Sequence, residues 1–157
     1  MPKVIISDTS VLILFQKIGK LELLQKIYQE IITTPEVADE YGEELPVWIN
    51  IHHVSDKRYQ KLLEIQIDKG EASAIALATE FSDVLLLLDD LKARKIATRL
   101  NLKFTGALCI IHRSKQLGII EKVKPLLDEI LNTNFHVSEK IILELLELNG
   151  ESEKETG

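Results

Sequence analysis

Short apolar runs along this chain alternate with longer stretches in which apolar residues recur every three or four positions. Val4-Ile5-Ile6 is uninterrupted and β-branched and stops at Ser7-Asp8-Thr9-Ser10; Val84-Leu85-Leu86-Leu87-Leu88 is wholly aliphatic and stops at Asp89-Asp90. Unbroken runs of this length predict strands covered on both faces, not strands with one wet side. Ile31-Ile32-Thr33 and Lys103-Phe104-Thr105 read as two further short strands. Elsewhere the spacing is helical. Ser10 is expected to cap a helix carrying Val11, Leu12, Leu14 and Phe15 and ended by Gly19. A second helix has Leu21, Leu24 and Ile27 on one face, and Thr34-Pro35 places proline at the first position of a third. Further helices are expected over Asp56–Ile67, Ala72–Phe81, Leu91–Leu100, Ala107–Gln116, Glu121–Asn132 and Ser138–Leu148, with Asp68-Lys69-Gly70-Glu71 breaking one and starting the next. Residues 43–55, with Pro46, Trp48 and the pair His52-His53, show no regular pattern. Strands alternating with helices predict an α/β domain with a mostly parallel sheet over residues 1–149, followed by a disordered acidic tail at 150–157.

Composition narrows this picture. A chain of 157 residues, 45% hydrophobic and 28% charged, can bury one core, has no room for two ordinary domains and is not mainly disordered. Cys109 is the single cysteine, which excludes an intramolecular disulfide and a cysteine-built zinc site and suits a reducing, cytoplasmic setting. Lying in an apolar helix, it is expected to be buried packing. No apolar stretch approaches the roughly 20 residues of a spanning helix, and no export signal follows Met1. The net charge of −6 argues against a surface that binds nucleic acid all over.

The chemistry is carried by acids at strand ends. Parallel strands place their carboxyl ends at one edge of the sheet, where ligands bind. Asp8 follows the first strand and Asp89-Asp90 follow the strand at 84–88; Glu71 opens a helix, and Glu40 lies farther along the helix after the second strand. An Asp after a strand is also ordinary turn or cap chemistry. Gathered together, however, these acids repel one another and call for a cation, and an oxygen-only set selects a hard ion such as Mg²⁺ or Mn²⁺. Such an ion suits phosphodiester hydrolysis, because it activates water and neutralises the attacked phosphate.

Four segments, in this order and spacing, resemble a PIN domain. They are the apolar run into Asp8-Thr9-Ser10, Pro35-Glu36-Val37-Ala38-Asp39-Glu40, Gly70 to Ala78 beginning Gly-Glu-Ala, and Leu88-Asp89-Asp90 with Ala93-Arg94 behind it. The resemblance is to the short prokaryotic PIN-like proteins related to VapC toxins, and it extends over about residues 3 to 148. It implies a three-layer α/β/α fold, Mg²⁺- or Mn²⁺-dependent ribonuclease activity, homodimerisation and, for toxin members, neutralisation by a small antitoxin. Carried over residue by residue, it makes Asp8 the first acid, Glu40 the second, Glu71 the third and Asp89 or Asp90 the fourth. Asp8, Glu71, Asp89 and Asp90 are then the metal-ligand candidates, with Thr9 and Ser10 supporting Asp8 or a metal-bound water.

Lys92, Lys95 and Arg99 recur at helical spacing behind Asp90, with Arg94 beside them; they are candidate RNA-backbone contacts, or simply a solvated face. His52 and His53 have no nitrogen or sulfur partner nearby and read as loop or edge-strand residues. The last helix sets Ile141, Ile142, Leu145, Leu146 and Leu148 against glutamates, a stripe that closes the core or meets a second subunit or antitoxin. Rival readings are a PIN-like binding module without activity and a phosphoacceptor signalling domain; the latter lacks a clean lysine partner. The negative charge is itself concentrated: residues 147–157 contribute −3 and the five candidate acids −5, leaving +2 elsewhere. It therefore does not exclude RNA.

Overall fold

The computed structural model describes residues 2–152. Its strands are β1 (Val4–Ser7), β2 (Ile31–Thr33), β3 (Ile49–Ile51), β4 (Val84–Leu87) and β5 (Lys103–Thr105). They form one five-stranded sheet in the order β3-β2-β1-β4-β5, and every pairing is parallel. The helices are α1 (Thr9–Lys17), α2 (Leu21–Tyr28), α3 (Pro35–Tyr41), α4 (Lys57–Leu63), α5 (Lys69–Ala78), α6 (Leu91–Arg99), α7 (Ala107–Gln116), α8 (Lys124–Leu131) and α9 (Glu139–Leu148).

The apolar runs are strands because both their faces are covered. Alternate residues point to opposite sides of a pleated strand. Ile5, Ile31, Ile49 and Leu87 join a core with α1, α2, α7, α8 and α9, while Ile6, Val84, Leu86 and Leu88 join a second core with α4, α5 and α6. The result is the expected three-layer α/β/α arrangement. Alanines let α5 lie flat on the sheet: Ala72, Ala74, Ala76 and Ala78 are all buried.

Several local expectations are corrected. Asp8, not Ser10, caps α1: its Oδ1 accepts the Val11 amide at 3.0 Å, and Ser10 is exposed. The irregular stretch at 43–55 contains the edge strand β3, unannounced because Ile49-Asn50-Ile51 is short and follows Pro46 and Trp48; His52 and His53 lie just beyond it, exposed. Cys109 is exposed, not buried, since α7 presents only one side, with Ala107, Ile110 and Ile111, to the core. Of the expected tail, residues 153–157 lie outside the described residues, but Glu151 is anchored. Its carboxylate accepts the Val123 and Lys124 amides at 2.8 and 3.0 Å and the Lys115 ammonium at 2.7 Å, capping α8 from the chain's far end. Among the described residues no helix is long and apolar enough to cross a membrane.

Candidate active site

Strand order turns back between β1 and β4: β2 and β3 extend to one side of β1, β4 and β5 to the other. In an open parallel sheet the crevice outside the strands' carboxyl ends at such a point is where ligands bind. Here the register pairs Ser7 with Leu87, and the Asp8 amide donates to the Leu87 carbonyl at 3.1 Å. Asp8 and the Leu88-Asp89-Asp90 corner are thus neighbours although 80 positions apart in the chain.

Asp8 is fully buried. One carboxylate oxygen is spent on the Val11 amide; the other, Oδ2, is buried without a hydrogen-bond partner. Burial pushes its pKa up to about 8, and the negative charges of Glu71, Asp89 and Asp90 push the same way against the Val11 amide. Thr9 Oγ1 beside it is likewise buried and partnerless.

Glu71 sits in the first turn of α5, 8% exposed, and takes a hydrogen bond from the Asp68 amide, as the third residue of a helix does in a capping box. Burial, then the charges of Asp90 and Asp68, raise it to about 7, and in its protonated form it donates a hydrogen bond to Asp90. Asp90 in turn caps α6 through the Ala93 amide at 2.9 Å.

Glu40 reaches this edge from α3. Gly70, in the first turn of α5, leaves the space: a Cβ there would collide with the Glu40 carboxylate and stand 2.8 Å from Thr9 Oγ1. A contact without any signature in the apolar pattern holds α3 and α5 together. Ser73 donates to the Gly70 carbonyl at 2.7 Å, so in the 2.6 Å contact between the two hydroxyls Thr34 is the donor, while Thr34 itself accepts the Val37 amide that starts α3. All of this is buried. The threonine before Pro35 and a serine inside an alanine-rich helix were the available signals.

The two adjacent aspartates separate. Asp89 is tied down on both oxygens: Oδ1 accepts from Arg94 Nη2 and Oδ2 from the Ala107 amide, each at 3.0 Å. Burial raises Asp89 more than these two donors lower it. Arg94, expected on the RNA-facing stripe, is instead directed inward, because its fork also reaches the Leu88 carbonyl at 2.9 Å. Lys92, Lys95 and Arg99 remain exposed and line a shared groove with Ile65, Gln66 and Ile96. Nor do Thr9 and Ser10 hold Asp8; the Val11 amide does that.

Among the described residues no three acidic, histidine or cysteine side chains already stand close enough together to encircle a metal ion. The donor set nevertheless fits a hard divalent cation. It is built of carboxylate oxygens, and one of them is buried with neither proton donor nor counter-charge in contact. Asp8 Oδ2, Glu71 and Asp90 could hold the ion, with Glu40 at the rim; both Asp89 oxygens already accept a hydrogen bond.

An all-parallel α/β sheet with carboxylates gathered at its switch-point edge defines a class of acid-cluster proteins. The chain matches a family model described as PIN domain over residues 4–151, so it belongs to the PIN-domain family. No curated protein and no solved structure matches the chain. PIN domains are generally nucleases, act on nucleic acids and typically use divalent metals.

Proposed function

We propose that this protein is a Mg²⁺- or Mn²⁺-dependent endoribonuclease of the cytoplasm, hydrolysing RNA phosphodiesters through Asp8, Glu71 and Asp90 with Glu40, and acting as the toxin of a toxin–antitoxin pair. The observation that carries the nuclease reading is the buried, partnerless Asp8 Oδ2 within electrostatic reach of Glu71 and Asp90. When bound, a divalent cation would supply charge neutralisation at the phosphate and a water of lowered pKa. The chain supplies the rest. Asp8 is locked by the Val11 amide, so its free oxygen has one direction. With burial and the charges of Asp90 and Asp68 holding Glu71 near 7, its carboxyl can release a proton as a cation loads or take one from an attacking water. Lys92, Lys95 and Arg99 offer an RNA backbone exposed cations on the helix that starts at Asp90.

The toxin reading is supported by the order of the four acidic segments. A homodimer is supported by α9, which leaves Ile141, Leu143 and Leu148 exposed while Ile142 and Leu146 face the core. The decisive experiment is cleavage of defined RNAs by purified protein with Mg²⁺ or Mn²⁺. Cleavage should stop with chelator and fall at least about a hundredfold in Asp8→Asn, the scale on which losing a group central to catalysis acts. Retained cutting by a clean Asp8→Asn preparation would sink the proposal.

A further inference from the structure

We propose that Arg94 is a positioning residue that fixes the Asp89 carboxylate against the corner between β4 and α7 and so leaves Asp90 as the carboxylate that meets Glu71. The inference rests on the nuclease reading above and assigns unlike roles to two adjacent, chemically identical side chains.

Four segments meet at Arg94. It projects from α6, bonds the carbonyl of Leu88 and the carboxylate of Asp89, and lies over the ring of Phe104 in β5, 5.2 Å from the centroid. Asp89 passes the connection on to the Ala107 amide at the start of α7. Gly106 makes the arrangement possible: a Cβ there would collide with Arg94 Nη2 and Asp89 Oδ1 and stand 3.1 Å from Asp89 Cγ. Both oxygens of Asp89 are therefore spent on the corner joining β4, β5, α6 and α7. Asp90, the next residue, is left to cap α6 and to meet Glu71. A rigid planar fork can hold a carbonyl and a carboxylate at once; the single ammonium of lysine on a flexible stem cannot hold both in fixed geometry.

The test is a double-mutant cycle on Asp89→Asn and Arg94→Lys, with Asp90→Asn alongside. Each folded variant is read by Mn²⁺ affinity in calorimetry and by kcat and KM for RNA cleavage. Asparagine keeps the shape of Asp89 but offers one acceptor oxygen where two are used. Each single variant should lose about 10- to 100-fold in Mn²⁺ affinity and kcat, as partners of metal ligands do, at unchanged KM. The double variant should be no worse than the weaker single, because both break one connection. Asp90→Asn should be more damaging than either. Additive losses, Asp89→Asn as damaging as Asp90→Asn, or Arg94→Lys raising KM alone would overturn the inference, the last showing a direct RNA contact. If Arg94→Lys does not fold, the comparison of Asp89→Asn with Asp90→Asn still decides. An unaltered protein that neither binds Mn²⁺ nor cuts RNA would overturn the nuclease reading itself.

Discussion

The least comfortable residue in this molecule is Asp8, an acid in full burial with one oxygen bonded and the other without a partner. Its pKa near 8 and that of Glu71 near 7 have a direct consequence for stability. Both lie above the ordinary carboxylate range near 4, so the folded, metal-free protein holds protons that the unfolded chain releases. The stabilisation from this difference is complete below about pH 4 and is lost as pH rises through about 7 for Glu71 and about 8 for Asp8. Metal-free protein should therefore melt at progressively lower temperature between about pH 5 and pH 8.5, and Mn²⁺ should restore the loss at the alkaline end. Asp8→Asn, which keeps an acceptor for the Val11 amide, should flatten this slope and raise Tm at pH 8 by roughly 3 °C or more, the shift that about 1 kcal/mol produces in a domain of this size. Thermal melts in chelator across that range check it; a wild-type Tm that rises towards pH 8 would contradict the assignment. That Asp8 stands at the carboxyl end of a buried strand was readable from its place after an apolar run. That it caps α1 in place of Ser10 was not, because Asp8, Thr9 and Ser10 are all competent caps and only backbone geometry chooses among them.

At the scale of elements, the site depends on how closely α3 and α5 approach. Glu40 carried little signal in the sequence, since a glutamate on a helix is usually a solvated one; its place beside α5 follows from Gly70, whose missing Cβ admits the Glu40 carboxylate to the first turn of that helix. Gly70→Ala should thus separate stability from function. Alanine favours the helix by up to about 1 kcal/mol over glycine, against which stands the displacement of a flexible Glu40 side chain and pressure on Thr9 Oγ1. Tm should move by no more than about 4 °C while cleavage falls about tenfold or more, with a loss matching that of Glu40→Gln. Calorimetry and steady-state kinetics on the two variants test this; a Gly70→Ala protein of normal activity would show that Glu40 does not act from this position. The pairing of Thr34 with Ser73 belongs to the same scale, as do the short strand β3 and the anchored Glu151. Each is a contact between segments distant in sequence, for which apolar periodicity has no signature.

For the whole molecule, the net charge of −6 coexists with a row of exposed cations on α6. Lys92, Lys95 and Arg99 stand exposed on α6, whose first residue follows Asp90; under the proposed function they meet the RNA backbone. Reversing Lys92 and Lys95 to glutamate should raise KM for RNA about tenfold or more at low salt and reduce the salt dependence of binding, leaving kcat and Mn²⁺ affinity intact; filter binding across a salt series reads it, and an unchanged slope would remove these lysines from the substrate path. The alternation of strand and helix, the two-sided burial of β1 and β4 and the placing of acids after strand ends were all determined by the sequence. Burial and helical period are local properties, written in which residues are apolar and how far apart they stand. Only the tertiary structure decided that β1 and β4 are neighbours at a point where strand order turns back, that Asp89 is held by Arg94 while Asp90 meets Glu71, and that Gly70 and Gly106 clear room for charged side chains. Those outcomes depend on register and close approach between segments tens of residues apart, and no local pattern encodes a distance across the fold.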